Sequence, residues 1–476
     1  MSFKKAFFKN ISTFAVYNYL TQGVEFLATI VLSRLLLPEE YGFVAMIYIF
    51  VGFIRLFANL GIGVTVVRSD YRYTYHKHLF SLAIWLGFAL SITLSMLSYP
   101  IAVFFDNMEL IIPTIIVSVK FIFDSLTYIP IAILNKKLDF NSIGKIRLSG
   151  TSFQIAMMIL LAFLGFSYWS LIIPVIFNPI VQYLLLRRKV KLPIRIYGWR
   201  ATKRMIYRIR SLMGNLSLNN LVRYWSNHAD KVVIGRLYMQ SDLGLYNRAF
   251  RFVQITNHLI TGIFSSVLFP SLKQLIDEKG DANREYLDIV KIITLFNLPV
   301  VIILVVLPEI LVRILWGNDW TGVAPFLPYV GLIIIFNSII STMAPVFLLY
   351  GKERNLFLVN LASSMMTILL VIGGGLFSIM HVIKFLALGY LFFTIPVNIY
   401  FGFYKSFGFK IGLMLRFWIP TLIFGMFLFI SISCDSILLK LLIIIFYMGF
   451  LFYELRGTAK ESFKYLLNRL RKKKEA

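Results

Sequence analysis

With 476 residues, 59% hydrophobic and only 15% charged, and a mean hydropathy of +0.78, the chain lies outside the range of soluble globular domains and reads as a polytopic membrane protein. A formal net charge of +26 would suggest nucleic acid in a soluble chain, but in a membrane chain it first asks whether Lys and Arg fall in alternate loops. The one cysteine, Cys434, excludes an internal disulfide and a cysteine-based metal cluster, and the five His are scattered without ligand spacing, so neither a metal nor a cofactor is expected.

A helix needs about 20 mainly apolar residues to cross the hydrocarbon core. That measure gives about fourteen spans, near residues 13–34, 42–66, 80–104, 110–134, 146–165, 168–186, 211–236, 244–269, 289–315, 324–349, 356–377, 382–404, 413–432 and 437–454. The fold class expected is therefore an all-α polytopic membrane protein. Ahead of the first span, "MSFKKAFFKN" is basic, and the span itself carries Asn18, Gln22 and Glu25 with no cleavage pattern. It reads as a cytoplasmic start, not a removed signal. The seventh and eighth spans are the polar ones, holding "RYWSNHADKVVIGR" and "YNRAFRFVQITNH".

Loop charge orients the chain. With all fourteen spans crossing, one set of connections collects Lys4, Lys5 and Lys9, then Arg68, Arg72 and Lys77, then Lys136, Lys137, Lys145 and Arg147, then ten Lys or Arg from Arg187 to Arg210, and finally the tail "NRLRKKKEA". The opposite set collects Glu39, Glu40, Asp106, Glu109, Asp242, Asp319 and Asp435. This positive-inside pattern predicts that both termini are cytoplasmic. Omitting the seventh span alone would invert every later loop, whereas omitting the seventh and eighth together would not. The linker "RRKVKLPIRIYGWRATKRMIYRIR" and the tail segment "SFKYLLNRLRKKK" read as interfacial, with bases on anionic headgroups, and not as nucleic-acid sites.

An internal repeat bears on the seventh span. At an offset of 202 residues, "IVLSRLLLPEEYGFV" from Ile30 lies over "VVIGRLYMQSDLGLY" from Val232, matching Arg34 with Arg236, Leu35 with Leu237, Glu40 with Asp242 and Gly42 with Gly244. An offset of six spans keeps the copies parallel, so the seventh segment reads as a membrane helix by analogy with the first. The layout is then a six-helix half (1–187), a basic cytoplasmic linker (188–210), a second six-helix half (211–404), and two extra helices with a basic tail (405–476).

Charges inside spans are costly, at about 2.5–3.5 kcal/mol each near the centre, so the seventh helix is expected to turn its polar face inward. At 100° per residue Asn219, Asn220, Arg223, Asn227, Asp230 and Lys231 share one broad face, and in the eighth span Asn247, Arg251, Gln254 and His258 share another, with Arg248 at its shoulder. Arg55, Lys120, Arg223, Lys231, Arg248 and Arg251 outnumber Glu25, Asp124 and Asp230. A cationic interior suits an anion, and Arg offers a planar fork for phosphate. Blander readings stand beside this one. Lys120 and Asp124, at i and i+4, are placed to neutralise each other, and Asp230 has Arg223 and Lys231 as neighbours. His228 and His258 read as packing residues.

"LSRLLLPEEYGFVAMIYIFVGFIRLFANLGIGVTVVR" and "RYWSNHADKVVIGRLYMQSDLGLYNRAF" resemble the bacterial polysaccharide-repeat flippases, the Wzx-type branch of the multidrug/oligosaccharidyl-lipid/polysaccharide exporter superfamily. The resemblance implies an inner-membrane protein that carries an undecaprenyl-pyrophosphate-linked oligosaccharide to the outer leaflet by alternating access. The resemblance further implies a role in lipopolysaccharide, capsule or exopolysaccharide assembly, with a polysaccharide polymerase and export machinery as expected partners. It also implies a cationic cavity. By residue type and depth that role carries over to Arg223, Lys231, Arg248 and Arg251, with Arg55 and Lys120 beside them and Asn220, Asn227 and Gln254 as polar lining. Glu25, Asp124 and Asp230 become candidates for coupling to an H+ or Na+ gradient, although each has a base nearby. A polymerase or ligase is the competing reading, but it would need a sizeable outer loop or a convergent acid and base, and no expected outer connection exceeds about ten residues. A drug exporter of the same fold is the third, and it would call for an acidic cavity.

Overall fold

The computed structural model describes residues 3–58, 66, 73–190, 197, 221, 224–261, 268, 272–278, 282–433 and 436–472, and every regular element among them is helical. The contacts divide the chain into two compact units, Met1–Asn247 with Leu315–Trp320, and Arg248–Ile314 with Thr321–Ala476. The first holds α1 (Phe3–Ser33), α2 (Pro38–Ala58), α3 (Tyr73–Phe104), α4 (Ile111–Ser118), α5 (Lys120–Lys136), α6 (Phe140–Phe163), α7 (Trp169–Lys189), α8 (Ala229–Leu237) and the start of α9 (Gln240–Thr256). The second holds the rest of α9, then α10 (Ala282–Val306), α11 (Pro308–Leu315), α12 (Leu327–Ser341), α13 (Met343–Leu349), α14 (Glu353–Gly375), α15 (Ile379–Gly389), α16 (Ile395–Asn398), α17 (Ile411–Ser433) and α18 (Ile437–Lys472).

Eleven helical stretches are long and apolar enough to cross a membrane, and they match the expected second to sixth and ninth to fourteenth spans. The count of fourteen is not reached on that measure among the described residues. α1 forms a helix of 31 residues, but its Asn18, Gln22 and Glu25 hold its hydropathy down. The seventh segment is not one continuous helix. It is helical at 224–226, turns at Asn227 and His228, and restarts as α8 at Ala229. Local hydrogen bonds compete with the helix there: His228 Nδ1 pairs with the Tyr224 carbonyl at 2.9 Å, and the Lys231 amide donates to Asp230 Oδ1 at 2.8 Å. The single polar face expected across 219–231 is therefore interrupted, and Asn219, Asn220 and Arg223 lie outside the described residues.

Capping sets the other boundaries. α2 begins at Pro38 with Glu39 and Glu40 in its first turn, where a carboxylate meets the positive end of the helix and Pro gives up no needed donor. The Leu37 amide donates to Glu40 Oε2 at 2.7 Å. α6 begins where the Asp139 side chain accepts from the Ser142 amide at 3.1 Å. That is six residues before the expected span begins, so Lys145 and Arg147, counted with the charges of a connection although Arg147 fell at the edge of the span, both lie inside the helix.

The first unit closes around Leu79, Phe80 and Ala83 of α3, Ile129 and Ala132 of α5, Ile143 and Ile146 of α6, and Leu186 of α7. In the second unit an ion network, buried except at Arg416, ties three helices. Lys291 of α10 reaches Asp288 at 3.0 Å and Glu454 of α18 at 3.4 Å, and Glu454 also accepts from Arg416 of α17 at 2.8 Å. Alternating charges give each buried ion a partner, the condition for tolerating it in a low-dielectric interior. The network holds α17 and α18 to α10 of the same unit.

Candidate functional site

A cavity of about 1240 Å³ opens inside the first unit, walled by α1, α2, α5, α6, α7 and Asn247 of α9. Five charged side chains line it: Glu25 from α1, Arg55 from α2, Lys120 and Asp124 from α5, and Arg147 from α6. Lys120 and Asp124, one helical turn apart, form an ion pair, and each side chain is only 15% exposed. Arg55 stands in the last turn of α2, within Coulombic reach of both Lys120 and Arg147. The guanidinium carbon of Arg147 lies 5.9 Å from the centre of the Phe14 ring, a cation–π distance. No ion pair among the described residues involves Arg55 or Arg147. The wall thus carries three basic and two acidic side chains, of which Lys120 and Asp124 form an ion pair.

The rest of the polar lining is neutral. Asn178 Nδ2 of α7 donates to Gln154 Oε1 of α6 at 2.6 Å, and Gln182 Nε2 donates to Asn178 Oδ1 at 2.5 Å. Gly150 lets this chain pass, because a Cβ there would stand 2.7 Å from Gln182 Cγ and 2.8 Å from Asn178 Oδ1. Tyr48, Tyr128, Thr151 and Asn135 add hydroxyl and amide groups.

Of the side chains singled out in the sequence, the structure brings Glu25, Arg55, Lys120 and Asp124 together on this cavity. Asp230 lies in the first turn of α8 and accepts from the Tyr246 hydroxyl at 2.7 Å. Lys231 follows it, half-buried, and Asn227 is exposed in the preceding turn. None of the three lines the cavity. Arg248, Arg251 and Gln254 belong to the second unit, where Arg248 is buried and Arg251 donates to Gln254 Oε1 at 3.1 Å. Sequence reasoning missed Arg147 and the three linked amides. The Asp139 cap would have placed Arg147 two turns into a helix, and Asn178 and Gln182, at i and i+4, already shared a face.

The Lys120–Asp124 pair yields a stability prediction. Lys120→Met strands a largely buried carboxylate, a change that costs on the order of 3 kcal/mol, whereas Lys120→Met with Asp124→Leu removes both charges and recovers most of the loss. Thermal unfolding in detergent should rank the single variant below both the double and the wild type. Equal melting of single and double would show that the pair does not act as a unit.

The repeated glycines also meet. Gly42 of α2 and Gly244 of α9 sit at a reciprocal crossing. A Cβ on Gly42 would stand 1.7 Å from the Gln240 carbonyl oxygen, and one on Gly244 would stand 1.9 Å from that of Pro38. Only residues without side chains let the two helix starts approach this closely.

The sequence profile of a family described as "Polysaccharide biosynthesis protein" matches residues 31–325. Among curated relatives, the succinoglycan biosynthesis transport protein ExoT of Rhizobium meliloti is 25% identical over 347 residues, covering 71% of this chain and 68% of that protein. The lipopolysaccharide biosynthesis protein WzxC of Escherichia coli is 20% identical, covering 76% and 73%. The teichuronic acid biosynthesis protein TuaB of Bacillus subtilis is 23% identical, covering 63% and 62%. Among solved structures, the lipid II flippase MurJ in an inward closed conformation superposes with a TM-score of 0.70 at 18% identity, over 94% of this chain and 99% of that one. The fold is thus shared with MurJ over nearly the whole length.

Proposed function

The chain belongs to the polysaccharide biosynthesis protein family, and from that premise we propose that it flips an undecaprenyl-pyrophosphate-linked oligosaccharide from the cytoplasmic to the outer leaflet of a bacterial inner membrane. The observation that carries this reading is the cavity of about 1240 Å³, where Arg55, Lys120 and Arg147 stand with Glu25 and Asp124 among amides and hydroxyls and Lys120 is paired with Asp124. Two guanidinium forks that make no ion pair among the described residues match the doubly anionic bridge of a pyrophosphate, and the amides suit the hydroxyls of a sugar. The relatives' names support the same reading, since one is a transport protein of succinoglycan biosynthesis and another acts in lipopolysaccharide biosynthesis.

In this mechanism the lipid tail stays in the bilayer while the headgroup enters the cavity, and alternating access then exposes it to the opposite face. No bond is made or broken, so the reading is a carrier and not an enzyme. Arg223, Lys231, Arg248 and Arg251 enter the proposal as further contacts met in the course of transport, with Asn220, Asn227 and Gln254 as polar lining. Glu25, Asp124 and Asp230 are the groups proposed for coupling to an H+ or Na+ gradient, and a polymerase or export assembly is the proposed downstream partner. The test is to delete the gene and determine which leaflet holds the lipid-linked intermediates. Complete repeats held on the cytoplasmic leaflet are expected. Unpolymerised repeats accumulating on the outer leaflet would sink the reading in favour of an enzyme of the same pathway.

A further inference from the structure

The amide chain across α6 and α7 is more than helix glue. Holding the two helices together requires one hydrogen bond, Asn178 to Gln154, and amide pairs of this kind are a common way to join membrane helices. Gln182 extends the chain away from that contact by bonding Asn178, and Gln154 Nε2 turns back to Met158 Sδ at 3.9 Å. All three amides line the cavity. By the inventory of a carboxamide, two N–H donors and a two-lone-pair oxygen, each linked amide keeps one further N–H, and Gln182 keeps its whole carbonyl oxygen. These donors and acceptors are fixed relative to one another by the chain itself. No charge accompanies them, and such a mixed, preorganised set fits vicinal hydroxyls, which both donate and accept.

Position along α6 separates this patch from the charged one. Arg147 and Gln154 are seven residues apart, hence on nearly the same face, and about 10 Å apart along the axis. A headgroup whose pyrophosphate meets Arg147 would therefore place its first sugar at Gln154 and its partners on α7. Gly150 lies between the two and clears the space through which the amides cross.

We propose that Gln154, Asn178 and Gln182 form the subsite that reads the hydroxyls of an uncharged first sugar on the lipid-linked substrate. The proposal rests on the flippase reading above and adds to it a division of the cavity into an anion-binding part and a neutral sugar-binding part. A site built to hydrogen-bond hydroxyls rejects an analogue lacking them, because its own polar groups are then left without partners.

The test measures equilibrium binding of three probes to the full-length protein in lipid nanodiscs: undecaprenyl pyrophosphate alone, the same lipid carrying one galactose, and the same lipid carrying one glucuronic acid. Wild type should bind the galactosyl probe about tenfold tighter than the bare lipid and bind the glucuronosyl probe no tighter than the galactosyl one. Asn178→Leu with Gln182→Leu should erase the galactose preference while bare-lipid affinity stays within about twofold, which also shows that the fold is kept. Gly150→Ala, which retains every amide but displaces the chain, should erase it too. Equal wild-type binding of bare and galactosyl lipid, survival of the preference in the double variant, or tighter binding of the glucuronosyl probe overturns the proposal and leaves the flippase reading intact. Failure of wild type to bind any of the three overturns both.

Discussion

Replacing Arg55 and Arg147 together by glutamate is expected to abolish export of the polysaccharide while the protein still accumulates in the membrane. Each arginine lines the cavity without an ion pair among the described residues, so on the proposed reading its partner is the anionic headgroup. A hydrogen bond to a charged group contributes ~1.5–3 kcal/mol, roughly a 10- to 150-fold loss in affinity per arginine removed. Two such losses together with charge repulsion place undecaprenyl pyrophosphate binding at least 1000-fold below wild type, on the order of 4 kcal/mol. Arg147→Lys keeps the charge but not the planar fork and should fall between. The control is Arg187→Glu, which makes the same charge change in the last turn of α7, off the cavity wall, and should export normally. Export in the double variant at wild-type levels would remove both arginines from the site. Equal loss in Arg187→Glu would point to disturbed topology, since Lys and Arg in short cytoplasmic loops also orient the chain.

That Arg147 carries this prediction shows where sequence reasoning stopped. The second to sixth and ninth to fourteenth spans were legible because a window of about 20 apolar residues is a strong, local signal. The boundary of α6 was not, because its start is set by the hydrogen bond from the Ser142 amide to Asp139 and not by hydropathy; the six added residues move Arg147 from the edge of the expected span, where it was counted with the loop charges, to two turns inside the helix. The amides were hidden for a different reason. Gln154, Asn178 and Gln182 are diluted by apolar neighbours in any hydropathy average, and attention to charge passes over them. Lys120, Asp124, Glu25 and Arg55 were legible as charges inside spans, and the structure joins them because α1, α2 and α5 face the same cavity. The seventh segment was read as one helix with one polar face, yet the helix is interrupted at residues 227–228, where His228 and Asp230 make local hydrogen bonds to the backbone.

Two glycines that the repeat aligns lead to the second large effect. Gly42 and Gly244 were matched by sequence alone, and in the structure each packs against the start of the other's helix. An alanine at either position would press a methyl to within 2 Å of a backbone carbonyl, which no rotamer change relieves, so α2 and α9 must part by more than 1 Å. Overpacking of this kind costs about 1–3 kcal/mol where side chains can yield, and more is expected against backbone. On the proposed orientation this crossing lies at the outer face of the first unit, so Gly42→Ala and Gly244→Ala should open the cavity to the outside and abolish complementation. With Cys434→Ser to silence the native thiol, a Thr151→Cys reporter on the cavity wall should react faster with a membrane-impermeant maleimide in intact cells carrying either alanine variant. Full complementation with an unchanged labelling rate would show that the glycines merely fit the crossing and do not close it.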